Sequence, residues 1–472
     1  MVLPPSPRAL VASLAAAVVA IAVFLAARRS VHAVSIPRPN VLLVVLDTTR
    51  RDHLSLHGYA RETSPRLDRL ASEATVFTRA YSTSSWTSPA HASLFTGLYP
   101  EAHHVTQEAW SMPDELVTLA EVLRDDGYRT AAMVGNPMAG RSLGFAQGFE
   151  SFRETWREHD AGDARRHPAV QGLEELVDVP SPRPFFAFVN LIEPHTPYDD
   201  GPHIEDFDRH PENPLKSNRW QAYVAGETAF SDQDLEHLVD LYDGEVRYAD
   251  AVVGSLLDVL AERGLLENTV VVVTADHGEN FGEHGLMDHV FNLYEETTRV
   301  PLLFRYPPRF GPGVRDDPVQ LHDIAPTLLS LVGARPIEGT QGLDLSRGPV
   351  DPARPVLLAY GFPVQALSAV RKHHEAEEAL AVHARRLWAL REGDWKLILG
   401  GDGRRELYDL AVDPHELSDL AATPEGAARA DELQRALESL LESVSRGERR
   451  GLDASTLDDA TLAEMRKLGY DG

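Results

Sequence analysis

The segment "TVVVVTADHGENFGEHGLMDH", Thr269 to His289, decides the fold. Its first part is a run of valines between threonines. An unbroken β-branched run of this length forms a strand buried on both faces, as the central strands of parallel sheets are. The run stops at Asp276, and His277, Glu279, Glu283, His284, Asp288 and His289 follow at once. Open α/β sheets bind ligands beyond the carboxyl ends of their strands, so this junction predicts one wall of a site.

The same pattern recurs on either side. "VLLVVLD" ends in Asp47, "TAAMV" lies near residue 130, and "FFAFVNL" (185–191) leads into Glu193 and His195. Helical periodicity separates these runs at 115–126, 233–264 and 320–332, and "SPRLDRLASEA" reads as a helix with Ser64 as N-cap and Pro65 at its first position. Strands alternating with helices predict an α/β fold, a mainly parallel central sheet flanked by helices. The segment 155–182 is charged and proline-containing and reads as a surface excursion. Past residue 345, "RRLWALREGDWKLILGG" and "RRELYDLAVDP" predict short antiparallel strands in a smaller C-terminal subdomain. "PEGAARADELQRALESLLESV" follows as an amphipathic, solvated helix. The expected division is an N-terminal segment (1–35), a catalytic domain (36–345), an antiparallel subdomain (346–420) and a helical tail (421–472).

Bulk chemistry narrows the function. The chain of 472 residues carries a formal charge of −27 and no cysteine. Such a charge repels nucleic acid and anionic lipid. The absence of cysteine excludes disulfides, thiolate metal sites and a cysteine nucleophile. From Ala9 to Ala27 the chain is uncharged, with Arg8 before it and Arg28 and Arg29 after it. That run nearly spans a bilayer core and predicts a transmembrane anchor, or else a signal segment cleaved after "VHA". Either places the remainder outside the cytoplasm, periplasmic or extracellular.

Carboxylates mixed with imidazoles suit a divalent cation such as Mn²⁺, Zn²⁺, Ca²⁺ or Mg²⁺. A second candidate stretch is "TSSWTSPAHASLFTGLYP" (83–100). Pro89 is a good first-turn residue and Gly97 a helix stop, so Thr87 falls at or just before a helix N-terminus. There it is either a plain N-cap or a nucleophile in a field that favours anions.

Together these stretches resemble the sulfatase-like branch of the alkaline phosphatase superfamily, over about residues 40–420. "PNVLLVVLDTTRRDHL" is similar to its opening strand and first metal aspartate. "TSPAHASLFTGLYP" resembles the sulfatase signature, "NLIEPHTPY" the substrate-contacting His-x-Pro segment, and "TADHGENFGEHGLMDH" the segment with two metal ligands and a substrate-binding lysine. "HDIAPTLLSLVG" and "WKLI…ELYDLAVDPHE" look like late-domain hallmarks. The resemblance implies Asp47, Asp276 and His277 as metal ligands, with Thr87 as nucleophile and fourth ligand. It implies His195 against a substrate oxygen. His289 stands where the family has lysine, and His91 where it has arginine.

Three departures matter. Thr87 replaces the Cys or Ser that becomes formylglycine, Thr48 follows Asp47 in place of a second acid, and "DHG" replaces the frequent "DNG". The mix is closer to threonine-nucleophile phosphatases, phosphodiesterases and phosphoethanolamine or glycerolphosphate transferases. The expectation is a metal-dependent hydrolase of phosphoric or sulfuric esters whose substrate is an anionic small molecule, lipid or glycan ester. A transferase and a non-catalytic binding protein are the alternatives. A second metal, held by His195, Glu193, His284 and His289, is a variant. His289 or His195 is expected to protonate the leaving oxygen, as an imidazole poised near neutrality. His103 and His104 read as rim loop residues and Arg50–Arg51 as a solvated turn.

Overall fold

A computed structural model describes residues 38–158, 162–198, 201–215, 217, 219–445 and 457–468. The apolar run at 9–27 lies outside the described residues. Among those described, no helix is long and apolar enough to cross a membrane.

The core is a sheet of eight strands. In chain order they are β1 (Asn40–Leu46), β2 (Thr75–Phe77), β3 (Arg129–Val134), β4 (Ser151–Glu154), β5 (Phe185–Leu191), β6 (Thr269–Ala275), β7 (Leu302–Arg305) and β8 (Gly313–Arg315). The spatial order is β8-β2-β7-β6-β1-β5-β3-β4. β7 runs against both its neighbours, and the other pairings are parallel. Every residue of β1, β5 and β6 is buried. Their apolar runs therefore face helices on both sides of the sheet, as the lack of alternation predicts.

Register builds the site. Leu46 pairs with Leu191 on one side and with Ala275 on the other, and Val134 pairs with Asn190. Asp47 and Asp276 therefore leave adjacent strands at the same level, next to Asn190 and two residues from the end of β3.

Several helices follow local rules, and one expected cap fails. Those that frame the sheets and the site are, in chain order, α1 (Pro65–Ala71), α2 (Thr87–Thr96), α3 (Leu119–Asp125), α4 (Pro168–Asp178), α5 (Asp232–Glu262), α6 (Ile324–Val332), α7 (Pro424–Val444) and α8 (Asp459–Lys467). α3 and α5 open on capping boxes, Thr118 with Glu121 and Ser231 with Asp234. Ser64, expected to cap α1, makes no cap bond. Its hydroxyl instead reaches Asp68 and Ser55. The stretch 155–182 is no mere surface excursion. It contains α4, which buries Pro168, Ala169, Val170 and Leu173.

A second sheet of four antiparallel strands, β9 (Val356–Tyr360), β10 (Leu387–Glu392), β11 (Trp395–Gly400) and β12 (Arg405–Asp409), lies C-terminal. α7 covers it, packing Ala430, Leu433 and Leu437 with Leu357, Leu390, Leu397 and Leu407 in a separate core cluster. Glu295 binds this sheet to the loop region beyond β6 through Arg391 (2.9 Å) and the fully buried Lys396 (3.2 Å).

Candidate active site

Asp47, Asp276 and His277 bring one ligand atom each to within 4.8 Å of one another, all buried. Asp47 is fixed by two amides. Asn190 Nδ2 and Asn136 Nδ2 both donate to its Oδ2, at 2.9 and 3.0 Å, while Oδ1 is buried with no hydrogen-bond partner. Asp276 is fixed by backbone. The amides of Thr48 (3.1 Å) and His277 (2.9 Å) donate to Oδ1, and the buried Oδ2 has no hydrogen-bond partner. Thr48 can aim its amide there because it adopts the left-handed conformation, φ 48°, which a β-branched residue rarely takes. The Tyr242 hydroxyl donates to the Thr48 carbonyl at 2.8 Å and holds that turn.

His277 Nδ1–H donates to the Gly278 carbonyl at 3.1 Å, which leaves the Nε2 lone pair facing the carboxylates. Burial, with the nearby His289 charge, pushes the His277 pKa well down, so its imidazole is neutral. Burial pushes the Asp47 carboxyl up, and Asp276 adds to the shift; burial likewise raises Asp276. Two buried carboxylates with partnerless oxygens facing a neutral imidazole form a donor set that fits a hard or borderline divalent cation.

Thr87 is the first residue of α2, not its cap. The N-cap position is Trp86, and no side chain caps the helix. Thr87 Oγ1 lies 3.3 Å from His277 Nε2, while the Ser88 hydroxyl donates to the Met138 carbonyl. All ten residues of α2 are buried, so this is a core helix aimed at the site rather than a surface helix. It stops at Gly97, φ 70°, where an added Cβ would meet Thr340 Oγ1 at 2.1 Å. His91, one turn on, donates from Nδ1 to the Thr87 carbonyl (2.9 Å) and lies 3.7 Å from Asp276 Oδ2.

His289 and His195 complete the group. The His289 ring centroid is 4.4 Å from that of His277, 5.3 Å from that of His195 and 5.2 Å from Trp86. His289 is not poised near neutrality. Burial works to lower its pKa, but the Asp288 carboxylate at 2.6 Å overrides this and carries it up to about 10. Glu279 sits 3.8 Å away, held by the Tyr198 hydroxyl at 3.1 Å. His289 is thus held as an imidazolium in the metal-free site. His195 is buried, and its Nδ1–H donates to the Thr196 carbonyl at 2.7 Å.

The structure separates other residues from this group. Glu193 pairs with His167 at 2.7 Å, and His284 stacks on Tyr294 with centroids 3.6 Å apart. The acid and imidazole groups that gather beside the first cluster are instead Glu279, Asp288 and His289. Arg50 is not in a solvated turn; it is buried between Asp52 (2.7 Å) and Glu283 (2.6 Å). His103 is also buried, 3.0 Å from Ser93 Oγ, rather than on a rim. Sequence reasoning missed Asn136 as a partner of Asp47. Its place just past the end of β3 is the same signal that singled out Asp47 and Asp276.

Known proteins resemble this chain along most of its length. The sulfatase family model matches residues 39–334, and the model of the C-terminal part of N-sulphoglucosamine sulphohydrolase matches 282–443. Choline-sulfatase of Rhizobium meliloti is 27% identical, across 82% of this chain and 83% of its own. Arylsulfatase A of Homo sapiens is 28% identical, across 84% and 87%. The crystal structure of phosphonate monoester hydrolase of Agrobacterium radiobacter superposes with a TM-score of 0.70 at 22% identity, covering 90% of this chain and 97% of that one. The match over β1, α2 and the β6 junction runs through the residues that build the buried cluster, and on it the chain belongs to the sulfatase family of ester hydrolases.

Proposed function

We propose that the protein is a divalent-metal-dependent hydrolase of phosphoric or sulfuric esters that works through Thr87. The observation that carries this is the Thr87 hydroxyl 3.3 Å from His277 Nε2, at the start of a buried helix and beside Asp47 and Asp276. Asp47, Asp276, His277 and Thr87 would hold the cation, which supplies Lewis acidity and charge neutralisation when bound. Free N–H groups at the start of α2 face the substrate's anionic oxygens. Thr87 Oγ gives up its proton to solvent and attacks phosphorus or sulfur in line, the bond to the leaving alcohol breaks, and the imidazolium of His289 delivers a proton to the departing oxygen. His195 lies against the same group. Water then attacks the threonyl ester in line and releases the inorganic anion. A threonyl ester cannot collapse to an aldehyde, so this second displacement is required. It is ordinary for phosphate esters, which favours phosphorus substrates.

The apolar run 9–27 supports a membrane anchor that keeps the catalytic part outside the cytoplasm. The test of the catalytic reading is p-nitrophenol release from phosphate, phosphodiester, phosphonate and sulfate esters after metal loading. Thr87→Ala is expected to lose at least about 10³-fold in kcat/KM. Full activity in Thr87→Ala overturns the nucleophile, and an inactive wild-type protein across the panel overturns hydrolysis of this ester class.

A further inference from the structure

Thr48 bends the turn after β1 at φ 48°, a left-handed conformation that β-branched residues rarely take. Its hydroxyl is buried with no hydrogen-bond partner among the described residues, so the side chain does not secure the bend. Backbone groups do. The Thr48 N–H donates to Asp276 Oδ1 (3.1 Å), and the Thr48 carbonyl accepts the Tyr242 hydroxyl (2.8 Å). The same hydroxyl accepts the Arg50 N–H at 2.8 Å, so one oxygen atom closes the turn on both sides of Thr49. Arg50 in turn reaches the loop beyond β6, donating from Nη1 to the Glu279 carbonyl (3.2 Å) and to Glu283 Oε1 (2.6 Å). Segment 48–50 is therefore tied to Asp276 at one end and to 279–283 at the other, with Tyr242 between them.

Tyr242 lies in α5 and is wholly buried. Its ring packs edge-on against His53, Tyr198 and Phe281, with centroids 5.4, 5.8 and 5.0 Å away. Packing thus places the ring, and the hydroxyl bonds the turn. Tyr242 does not line the cavity of about 580 Å³ that opens beside His195, to which α5 gives Glu245 and Tyr248 and α8 gives Glu464, Lys467 and Leu468. Its effect on the site has to pass through the turn. We propose that Tyr242 is a positioning residue for Asp276, acting through the backbone of Thr48. Its hydroxyl keeps Thr48 in the left-handed bend, the bend keeps an N–H on Asp276 Oδ1, and Oδ2 is left for the cation. A strained residue of this kind persists only where its surroundings over-determine it. Partners that orient a ligating group are typically worth about 10–100-fold in metal affinity. The proposal rests on the metal reading above, and its test is arranged so that the two fail differently.

Tyr242→Phe removes one oxygen and keeps the ring. The dialysed proteins are titrated calorimetrically with Mn²⁺, Zn²⁺ and Ca²⁺ alone, and amide hydrogen–deuterium exchange is followed in the metal-free state. Tyr128→Phe is the control, because it removes an equally buried hydroxyl that donates to the Pro39 carbonyl (2.9 Å), at the opposite end of β1. Tyr242→Phe should weaken the ion that the wild type binds most tightly by at least about tenfold and speed exchange in 47–50. Tyr128→Phe should do neither. Glycine takes the bend without steric cost, so in a Thr48→Gly background the added loss from Tyr242→Phe should be smaller. Wild-type affinity in Tyr242→Phe, or an equal loss in Tyr128→Phe, overturns the proposal. An undiminished loss in the Thr48→Gly background overturns the route through Thr48. A wild-type protein that binds none of the three ions overturns the metal reading, and this proposal with it.

Discussion

Asn190→Ala should weaken metal binding and the fold together, by amounts set by two hydrogen bonds. Asn190 is wholly buried. Its Oδ1 accepts the Asn136 amide at 2.8 Å, and its Nδ2 donates to Asp47 Oδ2 at 2.9 Å. Truncation removes a bond to a carboxylate, about 1.5–3 kcal/mol, and leaves the Asn136 N–H buried without that acceptor, at about 1–3 kcal/mol. These terms overlap, so the metal-free protein is expected to lose roughly 3–4 kcal/mol. Partners that orient a ligating carboxylate are typically worth about 10–100-fold in metal affinity. Asn136→Ala removes the other bond to Asp47 Oδ2 and should weaken metal binding in the same range. Thr130→Val is the control, because Thr130 is buried on β3 but bonds the Gly148 carbonyl, far from Asp47 in the network. It should destabilise by about 1 kcal/mol and leave metal affinity alone. The assays are urea unfolding of the dialysed proteins and calorimetric titration with Mn²⁺. Wild-type Mn²⁺ affinity in Asn190→Ala would refute the claim that this amide holds a metal ligand.

Four further outcomes are expected. Thr87→Ser keeps a hydroxyl at the start of α2 and should retain kcat within about tenfold of wild type, measured beside Thr87→Ala. Asp323, at the start of α6, binds Arg354 through both oxygens at 2.6 and 2.8 Å, and Asp323→Asn, which leaves that guanidinium unpaired, should cost about 3 kcal/mol in urea unfolding. Burial raises the Asp323 carboxyl but Arg354 brings it below 3.8, so its stabilisation is full above pH 3.8 and drains away as pH falls through the lower folded value; acid titration of the wild type and variant should converge. Asp288→Asn removes the carboxylate that carries His289 up to about 10, so in the metal-free protein the His289 ring proton resonances should titrate at a lower pH than in wild type, by NMR. Removal of 457–468 takes Glu464, Lys467 and Leu468 from the cavity wall, breaks the Arg157 bonds to Asp458 and Thr461, and should change KM for bulky alcohol esters far more than kcat for p-nitrophenyl esters.

The parallel core was readable because β1, β5 and β6 are apolar on both faces and each carries a polar residue at or just past its C-terminal end: Asp47 after Leu46, Asn190 before Leu191, and Asp276 after Ala275. Once such strands pair in parallel, the polar residues at their ends must gather at one edge of the sheet: Asp47 and Asp276 leave it at the same level, and Asn190 stands two residues back, opposite Val45. Thr87 was readable from Pro89 and Gly97, which bound a helix whose ten residues carry no charge other than His91. Residues that act by pairing were not readable. Nothing in the sequence says that the Arg50 guanidinium lies under Glu283 rather than in water, because that depends on how a turn after β1 meets a turn after β6.

His289 shows where local reading stops. Its neighbours in sequence suggest a neutral-range imidazole among solvated acids, and the folded loop makes it a clamped cation. Three non-glycine residues between 284 and 291 take left-handed backbone: His284 (φ 56°), Asp288 (φ 66°) and Phe291 (φ 67°). Each such residue costs on the order of 1 kcal/mol and persists only where surroundings over-determine it. Here they do. His284 stacks on Tyr294, Phe291 stacks on His383, and the Asn280 amide donates to the Asp288 carbonyl at 2.8 Å. These contacts fix the turn in which Asp288 Oδ1 accepts the His289 amide and lies 2.6 Å from its ring Nδ1, and that turn sets the charge beside His277. The lysine expected at this position needs no such turn to be cationic. An imidazole does, and the left-handed backbone of 284–291 places Asp288 against it.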